Sequence, residues 1–439
     1  MAHRIADAMA DAINLGELAD GEQLPPHREL ADQLGVSVGT VSRAYALARE
    51  RGLISGTVGK GTFVAPRSEA LADLSGELDL SMNWIRCDPA ESVAGELLTA
   101  LREQPDTRAL MEIYPGPAGR PQHRADVAAW LARRGLTVSA EQLVLSNGAQ
   151  HGMFTVFSAL TKPGDLVATE SVTYSGMQSI ANHLHLRLTG LPMDAEGIVP
   201  EALDRLCASQ EVRILYTIPT VQNPTGVVMS EDRRETIADI ARRRKIMIVE
   251  DDIYAFLMDQ PPPPLAAFAP ERTYFVTSLS KSLFPGLRLG FVACPPGTAE
   301  AVASQVGMSL LATSPVMAAI GTRWLRDGTA DRVAGWKRGE VRARWEIAME
   351  RLGVPAKQQV AAHLWLPLPA AWPTAEFVAR ARARGVVVAG ADSFAVGPEP
   401  APRAVRICLG VPATRRRLQE ALDLIQEIRQ AQAAPVQLV

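Results

Sequence analysis

A lysine flanked by hydroxyl and guanidinium side chains lies in the segment TSLSKSLFPGLRLG, at positions 277–290 of the 439-residue chain. The amine of Lys281 is able to form a Schiff base with an aldehyde. Ser278, Ser280 and Arg288 supply the hydroxyl and guanidinium groups that hold a dianionic phosphate. Pyridoxal 5′-phosphate (PLP) carries both an aldehyde and a phosphate. The segment therefore predicts PLP chemistry, although a lysine taken alone is more often a surface residue.

An apolar run that ends in acids lies upstream, in IVEDDIY at positions 248–254. A carboxylate that faces the pyridine nitrogen keeps it protonated, and a phenol three residues later can hydrogen-bond the ring's O3′. Asp251 and Asp252 both qualify as the acid, and Tyr254 supplies the phenol. Further upstream, SNGAQ at 146–150 follows an apolar run and opens a predicted helix. The backbone amides of Ala149 and Gln150 are therefore able to hold phosphate at a helix N-terminus.

The order and spacing of these motifs over much of the chain resemble those of fold-type I aminotransferases. The resemblance implies that Lys281 forms the internal aldimine, that Ser278, Ser280 and Arg288 grip the phosphate, and that Asp251 rather than Asp252 faces the ring nitrogen, because its spacing to Tyr254 matches the family. The other roles it implies are a second O3′ partner in the NPTG motif, a ring that stacks on the pyridine, a tyrosine that reaches the neighbouring subunit's phosphate, and an arginine for an effector's α-carboxylate: Asn223, Tyr174, Tyr114 and Arg406.

The N-terminal residues predict a DNA-binding module. Helical spacing of apolar residues covers 2–15, 27–34 and 37–51, with Ser37 as the N-cap of the third helix, and two short β-rich runs follow at 53–64. Such a winged helix-turn-helix lays its second helix in the major groove of double-stranded DNA. Residues 41–67 hold five basic residues and one acid, which predicts a local basic face in a chain of net charge −3.

Residues 4–64 resemble the GntR family of bacterial regulators. The resemblance implies that Arg28 touches phosphate, that the segment 37–43 enters the groove, and that Lys60 forms the wing tip. Within that segment the candidate DNA contacts are Ser37, Thr40, Ser42 and Arg43. The family usually has an arginine where this chain has Val38, so guanine is read from elsewhere, for instance by Arg43. One module binds weakly, which favours a homodimer that reads two half-sites of an operator.

Alternating strands and helices after residue 90 predict a mostly parallel α/β sheet. The expected fold class is multidomain: a winged helix-turn-helix (α with a β wing), an α/β fold-type I aminotransferase-like large domain and a small α/β C-terminal domain. We expect these at 1–67, 81–325 and 326–439, with a connector at 68–80. Both resemblances together match the MocR subgroup of GntR regulators. The connector is shorter than that subgroup suggests, which limits how far the DNA-binding domain can travel.

Composition excludes several other classes of protein. The sequence has no apolar stretch of membrane-spanning length and no signal-peptide pattern, so we expect a cytoplasmic protein without a membrane partner. Its four cysteines are far apart, which indicates neither a disulfide framework nor a metal site.

Two functions remain open, with a third that lacks the cofactor. The favoured one is a regulator that senses PLP, or a small amine or amino-acid effector, through aldimine formation at Lys281. The alternative is a working aminotransferase with an added DNA-binding domain, since Lys281, Asp251 and Arg406 are all present. A DNA-binding scaffold that has lost PLP is the third. Asn83-Trp84 is bulkier than the glycine-bearing segment that aminotransferases place over the substrate, which argues against efficient turnover.

Overall fold

The computed structural model of the chain describes residues 1–15, 17–19, 21–50, 53–57, 61–65, 77–86, 110, 112, 114–354 and 359–431. None of the helices in these ranges combines the length and the apolar character that crossing a membrane requires.

The N-terminal domain is a winged helix-turn-helix. Its elements are α1 (Ala2–Leu15), α2 (His27–Leu34), α3 (Val38–Glu50) and the antiparallel strands β1 (Ile54–Thr57) and β2 (Gly61–Val64). The next strand, β3 (Leu78–Asp79), lies outside this domain. The backbone amide of Thr40 donates to Ser37 Oγ over 3.2 Å, so Ser37 caps α3 as predicted. Tyr45 is buried in the domain core and donates to the carbonyl of Pro25, which ties α3 to the start of α2.

The large domain is built on a seven-stranded sheet in the order β4-β12-β11-β10-β9-β5-β6. Its strands are β4 (Leu143–Ser146), β5 (Leu166–Glu170), β6 (Arg187–Leu191), β9 (Val212–Thr217), β10 (Met247–Asp251), β11 (Thr273–Ser278) and β12 (Gly290–Ala293), with a side hairpin of β7 (Met193–Asp194) and β8 (Gly197–Ile198). All neighbours in the sheet are parallel except at β12, which runs antiparallel to β4 and β11. The prediction of a mostly parallel sheet is therefore confirmed.

Helices cover both faces of this sheet, which is why strands such as β4, β5 and β11 are buried along their whole length. The helices are α4 (Pro121–Ala132), α5 (Ala149–Leu160), α6 (Ser175–His183), α7 (Pro200–Ser209), α8 (Glu231–Arg244), α9 (Leu265–Phe268), α10 (Leu279–Ser282), α11 (Ala299–Leu310) and α12 (Pro315–Asp327). The carboxyl ends of β9, β10 and β11 lie side by side, and in open α/β sheets ligands collect at such an edge.

The C-terminal domain packs helices on a three-stranded antiparallel sheet. It contains α13 (Thr329–Leu352), β13 (His363–Pro367), α14 (Thr374–Ala383), β14 (Val386–Val387), β15 (Ala389–Gly390), β16 (Ala404–Cys408) and α15 (Arg415–Gln430). Strand β3 pairs with β14 in parallel, and Leu80 and Ile85 are buried in this domain's core. Residues 77–86 therefore lie against the small domain, whereas the sequence suggested a connector up to residue 80 and the large domain from residue 81.

Candidate cofactor and DNA-binding sites

Lys281 lies where β11 ends and the short helix α10 begins, at the carboxyl edge of the sheet. Burial lowers the pKa of its amine to about 8. The amine donates a hydrogen bond to the backbone carbonyl of Asn83, in the segment that packs on the small domain. A buried amine with a depressed pKa is more often neutral, and the neutral form is the one that attacks a carbonyl carbon.

Asp251 lies at the carboxyl end of β10, the strand next to the lysine-bearing strand. Tyr216 donates to one carboxylate oxygen over 2.9 Å, while the other, Oδ1, is buried with no hydrogen-bond partner. Burial, more than any other influence, raises the pKa of Asp251 to about 7. A buried acceptor without a donor is costly, and a protonated ring nitrogen would supply the donor that Oδ1 lacks.

Asp252, the rival acid, belongs to a different environment. Its carboxylate accepts a hydrogen bond from the backbone amide of Ala255. Asp252 also lines a small cavity together with Trp130 and Arg134. Burial raises the pKa of Asp252, whereas the Arg134 guanidinium lowers it. Ser278 also borders this cavity. Asp252 therefore already has a cationic neighbour.

The start of α5 forms a concave backbone surface next to Arg288. Gly148 has φ +80°, and a Cβ atom there would lie 2.8 Å from Arg288 Nη2. Gly290 allows the same close approach, since its Cβ would lie 2.9 Å from the backbone nitrogen of Ala149. The positive φ of Gly148 and the backbone contact at Gly290 both favour glycine at these positions. Arg288 donates to the carbonyl of Asn147 over 3.0 Å, so its guanidinium is held at the helix start.

This arrangement fits a phosphate. The first amides of α5, those of Ala149 and Gln150, have no partner within the helix, and the helix dipole favours an anion there. Ser280 Oγ is buried and has no hydrogen-bond partner. The described residues thus leave one acceptor, Asp251 Oδ1, and the donors of Ser280 and the α5 start without partners on the side where Lys281 lies. This is the donor and acceptor set that PLP requires, so the residues fit the cofactor.

Tyr174 and Gln150 share a narrow space beside this surface. A Cβ at Gly176 would lie 2.3 Å from the Tyr174 ring and 2.4 Å from Gln150 Oε1, so glycine is required there. Burial raises the pKa of Tyr174, and the charges of Asp251, Arg406 and Arg288 also influence it. The ring therefore lies among three of the predicted site residues.

Arg406, on β16 of the small domain, reaches across to the large domain. It donates to Asn223 Oδ1 over 2.8 Å and to the backbone carbonyl of Ser81, while its Nε is buried without a partner. Its guanidinium lies 4.7 Å from the centroid of the Phe394 ring. Tyr254 is fully buried close by, and the charge of Arg406 lowers its pKa, although burial raises it more. The structure thus brings Asn223, Tyr254 and Arg406 together from distant parts of the sequence.

The recognition helix α3 presents a partly polar surface. Ser37, Val38 and Arg43 are exposed, as is Arg28 on α2, whereas Thr40 is partly buried. Ser42 Oγ bonds His27 Nδ1 over 2.9 Å, so this hydroxyl already has an intramolecular partner. Thr40 and Arg43 also line an open cleft with His3 of α1. Lys60 lies outside the described residues.

Comparison with known proteins agrees with both halves of this description. Residues 76–425 match the family "Aminotransferase class I and II", and residues 1–64 match "Bacterial regulatory proteins, gntR family". The HTH-type transcriptional regulator YdeF of Bacillus subtilis (strain 168), itself described as uncharacterized, is 31% identical over 431 residues, which are 95% of this chain and 92% of YdeF. The chain belongs to the MocR-type GntR transcription regulators.

Two further proteins resemble the chain, one in sequence and one in fold. The HTH-type pyridoxine biosynthesis transcriptional regulator PdxR of Corynebacterium glutamicum is 28% identical over 323 residues, 70% of this chain and 68% of PdxR. An archaeal alanine:glyoxylate aminotransferase superimposes with a TM-score of 0.74 at 24% identity, covering 88% of this chain and 98% of that enzyme. The second comparison shows the fold of the aminotransferase-like domains.

Three site residues of the regulator carry no motif in the sequence. Tyr216 donates to Asp251, His363 bonds both Asn83 and the carbonyl of Gln222, and Lys337 of α13 donates to the backbone carbonyls of Lys281 and Leu283. Lys337 and His363 are buried. No sequence signal singles out Tyr216 in the strand VRILYT, which also contains the polar residues Arg213 and Thr217.

Tyr114 does not join the pocket of its own chain. Its side chain is 86% exposed. Other large exposed apolar side chains in the described ranges include Met308 and Leu311 at the end of α11, and Gly307 of that helix approaches Pro117. This end of α11 and the segment 114–119 therefore form one exposed surface with apolar side chains.

Proposed function

We propose that this regulator binds PLP at Lys281 and reports the state of that site, PLP alone or PLP with an amine effector, to its DNA-binding domain. The observation that carries the proposal is the unpaired, buried Oδ1 of Asp251 in a site that also holds Lys281 and the glycine-formed cradle beside Arg288. When bound, PLP supplies an aldehyde that condenses with amines and a ring that withdraws electrons.

Each side chain has a specific task in this proposal. Asp251, oriented by Tyr216, accepts a hydrogen bond from the protonated ring nitrogen of PLP. The carboxylate stays charged because this cationic nitrogen faces it. Ser278, Ser280 and Arg288, with the amides of Ala149 and Gln150, hold the phosphate. Tyr174 stacks on the ring, and the ring's O3′ is hydrogen-bonded by Asn223 and Tyr254. Lys281 provides the amine and Arg406 binds an effector carboxylate.

We also propose a homodimer as the working form. A tyrosine as exposed as Tyr114 is able to reach a neighbouring subunit, and the exposed apolar residues Met308 and Leu311 at the end of α11 favour a protein partner over water. Two DNA-binding domains on one dimer read two half-sites, with Arg28, Ser37, Thr40, Ser42, Arg43 and Lys60 as contacts. An effector changes DNA binding only through its different affinity for two arrangements of these domains.

Spectroscopy and an activity assay test the proposal. Purified protein is expected to show the visible absorption band of protein-bound PLP, and candidate amines are expected to shift that band and to change operator affinity. Protein that takes up no PLP would refute the proposal. Asp251→Asn is expected to weaken the uptake of PLP. Its matched control is Asp252→Asn, because Asp252 faces Arg134 and its replacement is expected to leave the band unchanged.

The competing function is catalysis by transamination, which the presence of Lys281, Asp251 and Arg406 favours. The two functions differ in turnover. Multiple turnovers with an amino-acid panel and 2-oxoglutarate would support an enzyme, whereas a shifted absorption band without product supports a sensor.

A further inference from the structure

His151, the third residue of α5, contacts the turn that leads into the phosphate-binding end of this helix. We call residues 147–150, the turn with the first two residues of α5, the cradle. The backbone amide of Asn147 donates a hydrogen bond to His151 Nδ1 over 3.1 Å. The backbone carbonyl of Asn147 accepts one from Arg288 over 3.0 Å. Asn147 is therefore held by the imidazole on one side and by the guanidinium on the other.

The contacts of the His151 ring define its tautomer. A backbone amide only donates, so Nδ1, which accepts from Asn147, carries no proton and Nε2 carries it. Nε2 lies 2.8 Å from Ser309 Oγ and donates to it, and Ser309 in turn donates to the carbonyl of Gln305 over 2.7 Å. Burial lowers the pKa of His151 from its ordinary 6.5, and the charge of Arg288 lowers it further, which agrees with a neutral ring.

This histidine braces the turn before α5 from outside the phosphate-binding amides. A serine, threonine or aspartate at an N-cap accepts a hydrogen bond from the second or third amide of the helix. Gly148 is the N-cap of α5 and has no side chain to do so, which leaves the first amides open to an anion. Glycine is also the most flexible residue, so this turn needs support from its neighbours. The bond from Asn147 to His151 gives that support and uses none of the amides that face the phosphate.

Helix α11 fixes the direction of the imidazole. Ser309 is in the last turn of α11, far from the cradle in the sequence, and its hydroxyl is itself oriented by the Gln305 carbonyl. Because the Nε2 proton points at Ser309, the lone pair of Nδ1 points at the Asn147 amide. The ring thus connects α11 with the start of α5.

We propose that His151 is a positioning residue for the phosphate of PLP, and that it acts through Asn147. The inference rests on the proposed function, in which Arg288 and the amides of Ala149 and Gln150 hold the phosphate. The Asn147 peptide groups locate both kinds of donor, since the carbonyl binds Arg288 and the following residues carry the amides. Loss of the bond to His151 therefore loosens the guanidinium and the helix start together.

Two substitutions separate the two hydrogen bonds of the ring. Asparagine carries its oxygen close to where Nδ1 lies, so His151→Asn keeps an acceptor for the Asn147 amide but is too short to reach Ser309. Glutamine carries its amide close to where Nε2 lies, so His151→Gln keeps a donor for Ser309 but withdraws the acceptor from Asn147. Both variants lose the imidazole, and only the second loses the brace of the cradle.

Titration of the full-length apoprotein with PLP and with pyridoxal, which lacks the phosphate, tests this proposal through the visible absorption band. His151→Gln is expected to bind PLP roughly 3- to 10-fold more weakly, the effect of one hydrogen bond, and to bind pyridoxal as the wild type does. His151→Asn is expected to recover most of the PLP affinity. The matched control is His183→Gln, the same substitution at an exposed histidine of α6 whose ring lies against Phe154, and it should change neither affinity.

The two ligands distinguish a role in phosphate binding from a general structural effect. Equal losses of PLP and pyridoxal affinity in His151→Gln would overturn the proposal, as would PLP affinity equal to that of the wild type. A loss in His151→Asn as large as that in His151→Gln would also overturn it, because the acceptor would then not be what counts. A wild-type protein that shows no band with PLP removes the proposed function together with this inference, whereas a wild-type band with any of the other outcomes removes the role of His151 alone.

Discussion

Replacing Asp251 by asparagine is expected to have opposite effects on the apoprotein and on PLP binding. The change keeps the shape of the side chain and its acceptor for Tyr216, but removes the charge. In the wild-type apoprotein the pKa of Asp251 is raised from 3.8 to about 7, mainly by burial, which corresponds to about 4 kcal/mol of unfolding free energy. Because the folded-state pKa is raised, this contribution is complete below pH 3.8 and is lost as the pH rises through about 7.

At pH 8, therefore, the variant apoprotein should be the more stable of the two. The new amide donor is buried without an acceptor, and this costs about 1–3 kcal/mol. The net gain in unfolding free energy is then about 1–3 kcal/mol at pH 8, and it disappears at acid pH, where the wild-type carboxyl is protonated. PLP binding loses a charge-assisted hydrogen bond, worth about 1.5–3 kcal/mol, or roughly a 10- to 150-fold weaker affinity.

Thermal or urea denaturation of the apoprotein at pH 5 and pH 8 measures the first effect, and a PLP titration followed by absorbance measures the second. Asp252→Asn is the control, since Asp252 faces Arg134 and should leave PLP affinity unchanged. Equal PLP affinity in wild type and Asp251→Asn would show that Asp251 does not face the ring nitrogen, whereas a less stable variant apoprotein at pH 8 would contradict the raised pKa of Asp251.

Four other outcomes follow from the same contacts. Lys281→Ala should abolish the visible band without unfolding the protein, as circular dichroism would show, and a retained band would contradict the lysine assignment. Incorporation of PLP into the apoprotein should accelerate as the pH rises through about 8, because the attacking amine of Lys281 must be neutral; a pH-independent rate would contradict this. Arg43→Ala should weaken operator binding by about 1–3 kcal/mol and relax the preference for the base that Arg43 reads, with the band unchanged, and equal affinity at fixed salt would refute that contact. Asp11→Asn, which removes the 3.2 Å ion pair with Arg415, should cost less than about 1 kcal/mol of stability but alter the effect of ligand on operator affinity; Glu17→Gln is its charge control.

The sequence predicted the elements of the fold well but not every pairing between them. Helices Ala2–Leu15 and His27–Leu34 agree with the prediction residue for residue. The antiparallel direction of β12 was not predicted, because an apolar run carries no information on strand direction. The pairing of Leu78–Asp79 with Val386–Val387 joins segments that are far apart in the chain, and local patterns do not report such contacts.

For the site, chemistry that depends on residue type was predictable and chemistry that depends on burial was not. Lys281 and Asp251 stand in recognisable motifs, and the structure brings them to neighbouring strand ends. Tyr216, His363 and Lys337 act through contacts with residues 35 to 280 positions away, so no spacing rule indicates them. Asn83 was noted for its bulk alone, whereas its backbone carbonyl and its amide are what engage the site.

Helix α13 connects the lysine segment to the DNA-binding domain by a second route. Lys337 donates to the carbonyl of Lys281, and one turn later Glu340 is held by Arg344 and Arg415. Arg415 also pairs with Asp11 of α1. The DNA-binding domain thus has an electrostatic contact at α1 in addition to its covalent link before β3. With Asp11 held in this way, a change at the lysine segment that is carried along α13 reaches α1 through Glu340 and Arg415. A displacement of α1 changes the angle between the two recognition helices of the proposed dimer, which is the quantity that the half-sites of an operator measure.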